Sequence, residues 1–590
     1  MFNEKKIWKA LIAQALNEVL QEENTGTKIC EDQVVLEIPP DANMGDFGFP
    51  MFPFAKIVRK APPAIAALVI QKLEKTRSGG GVSAAGPYIN VKLERTKQAE
   101  EVVNAVLHNF DTYCKSKLLN GQRIMVEFSS PNTNKPLHLG HLRNDVLGES
   151  IARILSACGA TVQKVCIMND RGIHICKSML AYTEKFSGNT PQSAAKKSDH
   201  FVGECYVAFN DMLKSEEDKP EKERGAALRA QELLRKWEDG DSETKILWQK
   251  MNGWAVDGLK ETYKRTGISF DKYYFESNTY MRGKEEVQKG LDKNIFYRES
   301  DGSVWADLSA ENLDKKALLR KDGTSLYITQ DFGTAILRYE DWNFDRLIYV
   351  VGNEQRYHFM VLFSLLKRLG FSWAKNLYHL SYGMVNLPEG RMKTREGTVV
   401  DADDLLDELH TMALEEIKQK EHVQGMDNES ETAEKIALGA LHYYLLQVTP
   451  EKDMQFDPKE SLSFNGNTGP YLQYVGARIS SILRQQKADD IKCVPVNAKL
   501  LTSEAEWDLI KTIADWNEVL EAAAEKLNPS LIGAWLYNLA KKFSVFYKEC
   551  PILTGECEEL CAARLALCKA TAAAEKNALE IVCIPFLEAM

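Results

Sequence analysis

Strand, loop, helix and strand alternate through the middle of this chain, which predicts a parallel sheet with helices on its faces, an α/β fold. RIMVEF (Arg123 to Phe128) and VQKVCIM (Val162 to Met168) are short apolar runs rich in β-formers. Between them lies DVLGESIARILSACGA, where Leu147, Ile151, Ile154, Leu155 and Cys158 recur with helical spacing. RLIYVVG running into NEQRYHF repeats the pattern as a buried strand entering a helix. From about residue 430 the chain is helical to its end, with Trp535, Leu536, Leu539, Phe543 and Phe546 on one helix face, and a helix bundle follows.

At 590 residues the chain is too long for one hydrophobic core. Residues 1–118 open with a helix and pass through short strands to AAGPYINVKLER and an amphipathic helix around Val102 to Phe110, a small α/β domain. Residues 119–425 carry the parallel-sheet domain, with a charged insertion at about 187–282, and residues 426–590 the all-α bundle. Within the insertion, KSEEDKPEKERG reads as a solvated loop or exposed helix end and receives no chemistry. No G-x-G-x-x-G follows either of the first two strands, so a dinucleotide fingerprint is absent.

Composition excludes several classes. No apolar run approaches the ~20 residues that span a bilayer, and the N-terminus reads as an amphipathic helix and not a signal peptide. The expected location is the cytoplasm. A net charge of −10 argues against binding nucleic acid through global charge but leaves room for local basic surfaces, such as KIVRK, Arg478 with Arg484, or Lys541 with Lys542. Cys550, Cys557, Cys561 and Cys568 lack the C-x-x-C knuckles of a zinc site and are read as buried thiols, and no metal site is assigned.

The chemistry concentrates after the first strand, in SSPNTNKPLHLGHLRN (Ser129 to Asn144). His138-Leu139-Gly140-His141 falls where a helix N-terminus presents unpaired N–H groups to an anion, and phosphate is the natural guest. Two imidazoles can donate to phosphoryl oxygens, and the glycine leaves room for a flat base. In GTSLYITQDFGTAILRYE, period-two alternation puts Tyr327, Thr329 and Asp331 on one side of an extended segment. Gln355 sits at the carboxyl end of a strand, where ligands bind in open α/β sheets, and Glu127 and Asn132 belong to the same rim. Each of Tyr327, Asp331, Gln355, Glu127 and Asn132 also fits an ordinary strand-end polar residue.

SSPNTNKPLHLGHLRN resembles the ATP-binding signature of class I aminoacyl-tRNA synthetases, in the version carried by arginyl-tRNA synthetases. DANMGDFGFPMFPFAK, GPYINVKL, GNTGPYLQYVGARISSILR and AARLALCKATAAAEKNALEIV extend the resemblance over nearly the whole chain. It implies a Rossmann-like class I catalytic domain, an N-terminal domain that touches tRNA and a C-terminal anticodon-binding bundle. It further implies ATP-dependent activation of L-arginine and transfer to tRNA(Arg), by a monomer without membrane attachment. ATP enters as its Mg2+ complex, with no tightly bound cofactor.

By the same resemblance His138, Leu139, Gly140 and His141 bind ATP. Arg391, Met392, Lys393, Thr394 and Arg395 take the place of the mobile K-M-S-K loop. Thr394 stands where that loop's second lysine belongs, so Lys135, three residues before His138, is expected to supply the missing cation beside Lys393 and Arg395. Glu127, Ser130, Asn132, His141, Tyr327, Asp331 and Gln355 match positions that hold arginine. A guanidinium offers five donors in a planar fork, and the carboxylates with Tyr327 supply acceptors that lysine would leave unmet. Tyr88 would stack on an unpaired base with Asn90 reading its edge, and Tyr471, Tyr474 and Arg478 would meet the anticodon arm. The alternatives are a class I synthetase of other specificity, a tRNA-binding paralogue without catalysis, and a small-molecule nucleotidyltransferase sharing the loop.

Overall fold

The computed structural model describes residues 4–23, 26–74, 80–217, 225–386, 400–419, 428–485, 497–555 and 557–590. The chain forms two compact units, one of Met1–Lys115, Arg478–Val519 and Trp535–Asn577, the other of Ser116–Ala477, Leu520–Ala534 and Ala578–Met590.

In the first unit the opening helix Glu4–Glu22 buries Trp8, Ile12, Leu16, Val19 and Leu20, the stripe its periodicity predicts. An antiparallel sheet of β1 (Phe47–Pro50), β2 (Gly80–Ala85) and β3 (Tyr88–Leu93) has the order β1-β3-β2. Buried Asp46 joins this sheet to the helix Glu504–Ala514, because its carboxylate accepts the Leu93 N–H and the Trp507 indole N–H, each at 2.9 Å. Cys550 and Cys568 are buried in this unit, but Cys557 is exposed and Cys561 half-buried. The expectation of four buried thiols therefore holds for only two, because Cys557 and Cys561 flank the first turn of the helix Glu558–Ile581.

The second unit is built on five parallel strands in the order β11-β10-β4-β5-β6. They are β4 (Arg123–Glu127), β5 (Thr161–Met168), β6 (Lys272–Phe275), β10 (Arg346–Gly352) and β11 (Leu377–Tyr382). A small antiparallel sheet of β7 (Tyr297–Arg298), β8 (Val304–Ala306) and β9 (Lys316–Leu319) follows β6, and β12 (Val385–Asn386) pairs in parallel with β13 (Met454–Gln455). The signature helix Leu139–Ala157 connects β4 to β5, as the alternation predicts. Gly148 lets it settle on β4, since a Cβ there would lie 2.2 Å from the Phe128 ring.

Two sequence expectations are corrected. Residues 187–282 are not one excursion from the sheet, because β6 lies inside that range and pairs with β5. The helices Ile173–Lys185, Ser198–Glu217, Ala226–Glu238 and Ser242–Thr266 enclose a core of their own around Phe201, Phe209, Met179 and Met251. Of the charged stretch within the insertion, residues 214–217 end a helix and 218–224 lie outside the described residues.

The second correction concerns Tyr327, Thr329 and Asp331, which stand in a helix, Tyr327–Trp342, and not in an extended segment. Ile328, Phe332, Ala335 and Ile336 bury its inner face with helical spacing, a signal that outweighs five residues of alternation. Tyr327 and Asp331 still share a face, now as i and i+4. Thr329 turns inward and donates to the Leu318 carbonyl at 2.7 Å.

This helix lies tightly on its neighbour, Glu276–Asp292, at two glycines. A Cβ on Gly283 would meet the Thr329 carbonyl oxygen at 1.9 Å, and one on Gly333 would meet the Gly283 nitrogen at 2.4 Å. Backbone cannot yield as a side chain can, so Gly283→Ala should cost about 3 kcal/mol. Urea unfolding of the variant checks this, and an unchanged midpoint would show that the two helices separate freely.

Candidate active site at the carboxyl ends of the strands

β4 ends in a turn that the chain adopts against its own preference. Ser129 and Ser130 have φ of 72° and 52°, in the left-handed region, which costs non-glycine residues of order 1–3 kcal/mol each. Side chains hold the turn there. The Ser129 N–H donates to Asn144 Oδ1, the Ser129 hydroxyl meets that of Tyr263 at 2.6 Å, and Asn169 donates to the Ser130 carbonyl at 2.9 Å. The Asn144 amide also donates to the Val350 carbonyl at 2.7 Å and the Tyr382 hydroxyl at 3.0 Å, so one buried side chain ties β4, β10 and β11 to the signature helix.

His138 stands as the N-cap of that helix, in extended backbone, with Leu139, Gly140 and His141 in its first turn. The His138 N–H donates to His141 Nδ1 at 3.1 Å, which places the hydrogen of a neutral His141 on Nε2. The two rings are 3.8 Å apart. Burial, helped by the charge of Lys135, lowers His138 to about 4. Burial together with His138 and Lys135 holds His141 well below the usual imidazole range. Lys135 is itself lowered by burial. At neutral pH the pair is therefore two uncharged donors beside one ammonium, and the buried His138 Nδ1 has no hydrogen-bond partner among the described residues. An anionic oxygen fits that unmet ring nitrogen and the positive end of the helix dipole, while the Leu139 and His141 N–H groups are already bonded to the Val400 and His138 carbonyls.

Arg391, Met392, Lys393, Thr394 and Arg395 lie outside the described residues. The chain on both sides of them is attached to the signature. On one side buried Arg143 donates to the carbonyls of Met384 at 3.1 Å, Pro450 at 3.2 Å and Lys452 at 2.7 Å. On the other, the Leu139 N–H donates to the Val400 carbonyl at 3.1 Å and the Ala402 N–H to that of Leu137 at 3.0 Å.

The residues matched to an arginine pocket fall into two groups. Asp331 and Tyr327 face outward, Tyr327 being 70% exposed, and Asp331 Oδ2 lies 2.5 Å from His358 Nε2. Asn132 and Gln355 are exposed on the rim, Asn132 bridged to Asn169 and Gln355 in the turn after β10. Glu127 and Ser130 form the inner group, where the Ser130 hydroxyl donates to Glu127 at 3.1 Å. Both groups act on the buried Tyr349 phenol: burial raises its pKa, Arg338 lowers it, and Glu127 and Asp331 raise it further.

Glu127 departs from expectation. Its carboxylate pairs with the buried guanidinium of Arg338, so the second negative charge assigned to the pocket is already met within the protein. A different acid lies nearby, accepting from the Gln330 amide at 2.7 Å. Glu276, at the N-terminus of its helix, is raised to about 7, first by burial and then, against the pull of Arg171, by Asp331 and Asp170. Arg338, His358 and Glu276 were not singled out from the sequence. His358 alone had a local signal, three residues beyond Gln355 on the same first turn.

The residues matched to tRNA contacts belong to other elements. Tyr88 packs edge-on to Phe52, which is 56% exposed, with ring centres 6.0 Å apart. Asn90 is buried over Gly48. Tyr471 and Tyr474 lie on the helix Gly469–Gln485, Tyr474 the more exposed, and Arg478 sits 5.1 Å from the Tyr547 ring.

Three family models match the chain: the arginyl tRNA synthetase N-terminal domain over residues 6–93, the class I (R) tRNA synthetase catalytic domain over 101–457, and the DALR anticodon-binding domain over 472–590. An arginine–tRNA ligase of Treponema denticola is 55% identical and one of Treponema pallidum 50%, each match covering 99% of both chains. The arginyl-tRNA synthetase of Thermus thermophilus superposes with a TM-score of 0.80 at 25% identity, covering 100% of both chains. With its parallel sheet, its histidine-capped signature helix and these full-length matches, the chain belongs to the arginyl-tRNA synthetase family of class I.

Proposed function

We propose that the protein is an arginine–tRNA ligase, and the observation that carries the reading is the pair of neutral imidazoles with Lys135 at the start of the signature helix. An arginine carboxylate oxygen attacks the α-phosphorus of Mg-ATP, the bond to pyrophosphate breaks, and arginyl-adenylate forms. The terminal ribose 2′-hydroxyl of tRNA(Arg) then attacks the arginyl carbonyl, and AMP leaves. The protein contributes positioning and charge stabilisation, with no covalent intermediate of its own.

In this reading His138 and His141, at the positive end of the helix dipole, donate to phosphate oxygens, and Lys135 meets the charge that develops on pyrophosphate. Lys393, Arg391 and Arg395 supply further cations, with Leu139, Gly140, Met392 and Thr394 lining the nucleotide. Asp331 and Tyr327 accept from the substrate guanidinium, assisted by Glu276, while Ser130, Asn132, His141 and Gln355 hold the α-amino and carboxylate ends. Glu127 serves through Arg338, as a wall of the pocket. The exposed Phe52 beside Tyr88 offers a stacking surface to tRNA, Asn90 supports it from beneath, and Tyr471, Tyr474 and Arg478 face the anticodon arm. The reading places a monomeric enzyme in the cytoplasm, where tRNA, ATP and arginine meet. Among the described residues no helix is long and apolar enough to cross a membrane.

Charging of bulk tRNA with each labelled amino acid in turn tests the assignment. Arginine alone should be attached, and attachment of another amino acid would overturn the pocket.

Two carboxylate variants should separate by their failures. Asp331→Asn loses a charge-assisted bond of ~1.5–3 kcal/mol and should raise the KM for arginine about ten- to a hundredfold, with the KM for ATP unchanged. Glu127→Gln leaves the buried Arg338 guanidinium uncompensated and should instead cost ~3–5 kcal/mol of stability. Urea unfolding and arginine-dependent pyrophosphate exchange, measured on both, check the pair. A stable Glu127→Gln enzyme with weakened arginine binding would return Glu127 to the substrate.

A further inference from the structure

The helix Ser198–Glu217 belongs to the insertion that the sequence left without chemistry, yet it bears on the phosphate side of the site by two routes. The first is direct packing. A Cβ on Gly203 would lie 2.8 Å from Pro136 Cδ and 3.6 Å from Lys135 Cα, so this helix touches the loop that carries Lys135.

The second route is a chain of charges. Lys197, just before the helix, donates to Asp403 Oδ2 at 2.7 Å, Asp199 Oδ2 at 3.1 Å and the Thr262 hydroxyl at 2.6 Å. His200 Nε2 lies 3.1 Å from Asp403 Oδ2 and 3.6 Å from Asp401 Oδ1. Asp401 in turn accepts the Asp403 N–H at 2.8 Å and the Asp404 N–H at 3.3 Å, fixing the start of the helix Ala402–Gln419. The backbone of Val400 to Ala402 runs antiparallel to Leu137–Leu139, pairing His138 with Asp401. His138 is thus bracketed by a segment whose acids are held from the insertion.

This cluster is not a solvated surface patch. The Asp199 side chain is fully buried, and those of Asp403, Asp401 and Lys197 are 14%, 18% and 20% exposed. Asp199, His200 and Asp403 are close enough to hold a metal, but the Lys197 ammonium already bonds both carboxylates and acts as the fixed cation of the group. Burial works to raise Asp403, yet the bonds from His200 and Lys197 outweigh it and hold the acid down at about 2. His200 is raised, chiefly by its bond to Asp403 and against burial, with Asp401 and Asp199 adding to the effect. Arg265 also faces the group, donating to the Asp403 carbonyl at 3.5 Å.

We propose that Lys197 and His200 are positioning residues for ATP, holding Asp401 and Asp403 so that the bracketing backbone keeps Lys135 and His138 aimed at the triphosphate. The proposal rests on the reading of Lys135, His138 and His141 as triphosphate contacts. Donors must stay within about half an ångström of productive geometry, and a loop of Ser129 to Leu137 cannot supply that by itself.

His200→Asn and Lys197→Met in the full-length enzyme test it, with Lys135→Ala as reference and rates normalised to active sites. Each positioning variant should raise the KM for ATP about five- to twentyfold and leave that for arginine within twofold. His200 contributes as a cation, fully below its ordinary range and less as pH rises through its raised value. The wild-type KM for ATP should therefore climb on the alkaline side, and the His200→Asn profile should lack that climb. Circular dichroism confirms folding, and if one variant fails to fold the other carries the test. If Lys135→Ala weakens ATP but both positioning variants leave it unchanged, the proposal falls while the site stands. Equal changes in both KM values, with the climb retained, would make the cluster merely structural. An ATP KM and activation rate indifferent to Lys135→Ala would remove the triphosphate reading and the proposal with it.

Discussion

One buried amide, that of Asn144, sets the geometry on which the site depends. Its oxygen accepts from Ser129 and its nitrogen donates to Val350 and Tyr382. Each bond contributes only about 1 kcal/mol net, but leaving the amide unpaired would cost more. Together the bonds offset the left-handed backbone at Ser129 and Ser130. That turn opens the loop of residues 128–138 that leads from β4 to the signature helix, which packs on Phe128 at Gly148. The position of His138, Lys135 and the flanks of the basic segment all follow from it.

The electrostatics of the site follow from burial. Taking ionisable groups out of water favours their neutral forms, and the protein uses this for the two histidines. A neutral imidazole beside an ammonium donates a hydrogen bond without adding a competing positive charge. Where the fold keeps buried charges it pairs them, Arg338 with Glu127 and Arg143 with three carbonyls, because an uncompensated buried ion is costly. Asp331 is different, since it is 42% exposed and its partner is the half-buried His358; in the proposed function an incoming guanidinium displaces that partner, so the site stays folded while empty.

What could be read from sequence was what repeats locally or forms a contiguous motif. The strand, loop and helix around His138 and His141, the parallel sheet, and the face of Trp535, Leu539 and Phe543 all carried periodic or motif signals. Tyr327 to Asp331 misled because five residues of alternation fit a strand, while the helical spacing of Ile328, Phe332, Ala335 and Ile336 needed a longer window. The pairing of Glu127 with Arg338 joins residues 211 apart, and that of Lys197 with Asp403 joins residues 206 apart. Such pairs have no period, and only the folded chain brings them together. Asn90 followed its strand correctly, but its burial over Gly48 depends on a partner strand that no local pattern specifies.

The central claim is that His138 and His141 are uncharged donors at a helix N-terminus, and their titration tests it most directly. The chain has 10 histidines, few enough to resolve by NMR with ring-labelled histidine and to assign through His138→Gln and His141→Gln. The resonance lost in His138→Gln should stay in its neutral form down to near pH 4, and that lost in His141→Gln should also titrate well below the usual imidazole range. Titration of either ring at about 6.5, as for an exposed imidazole, would contradict the account.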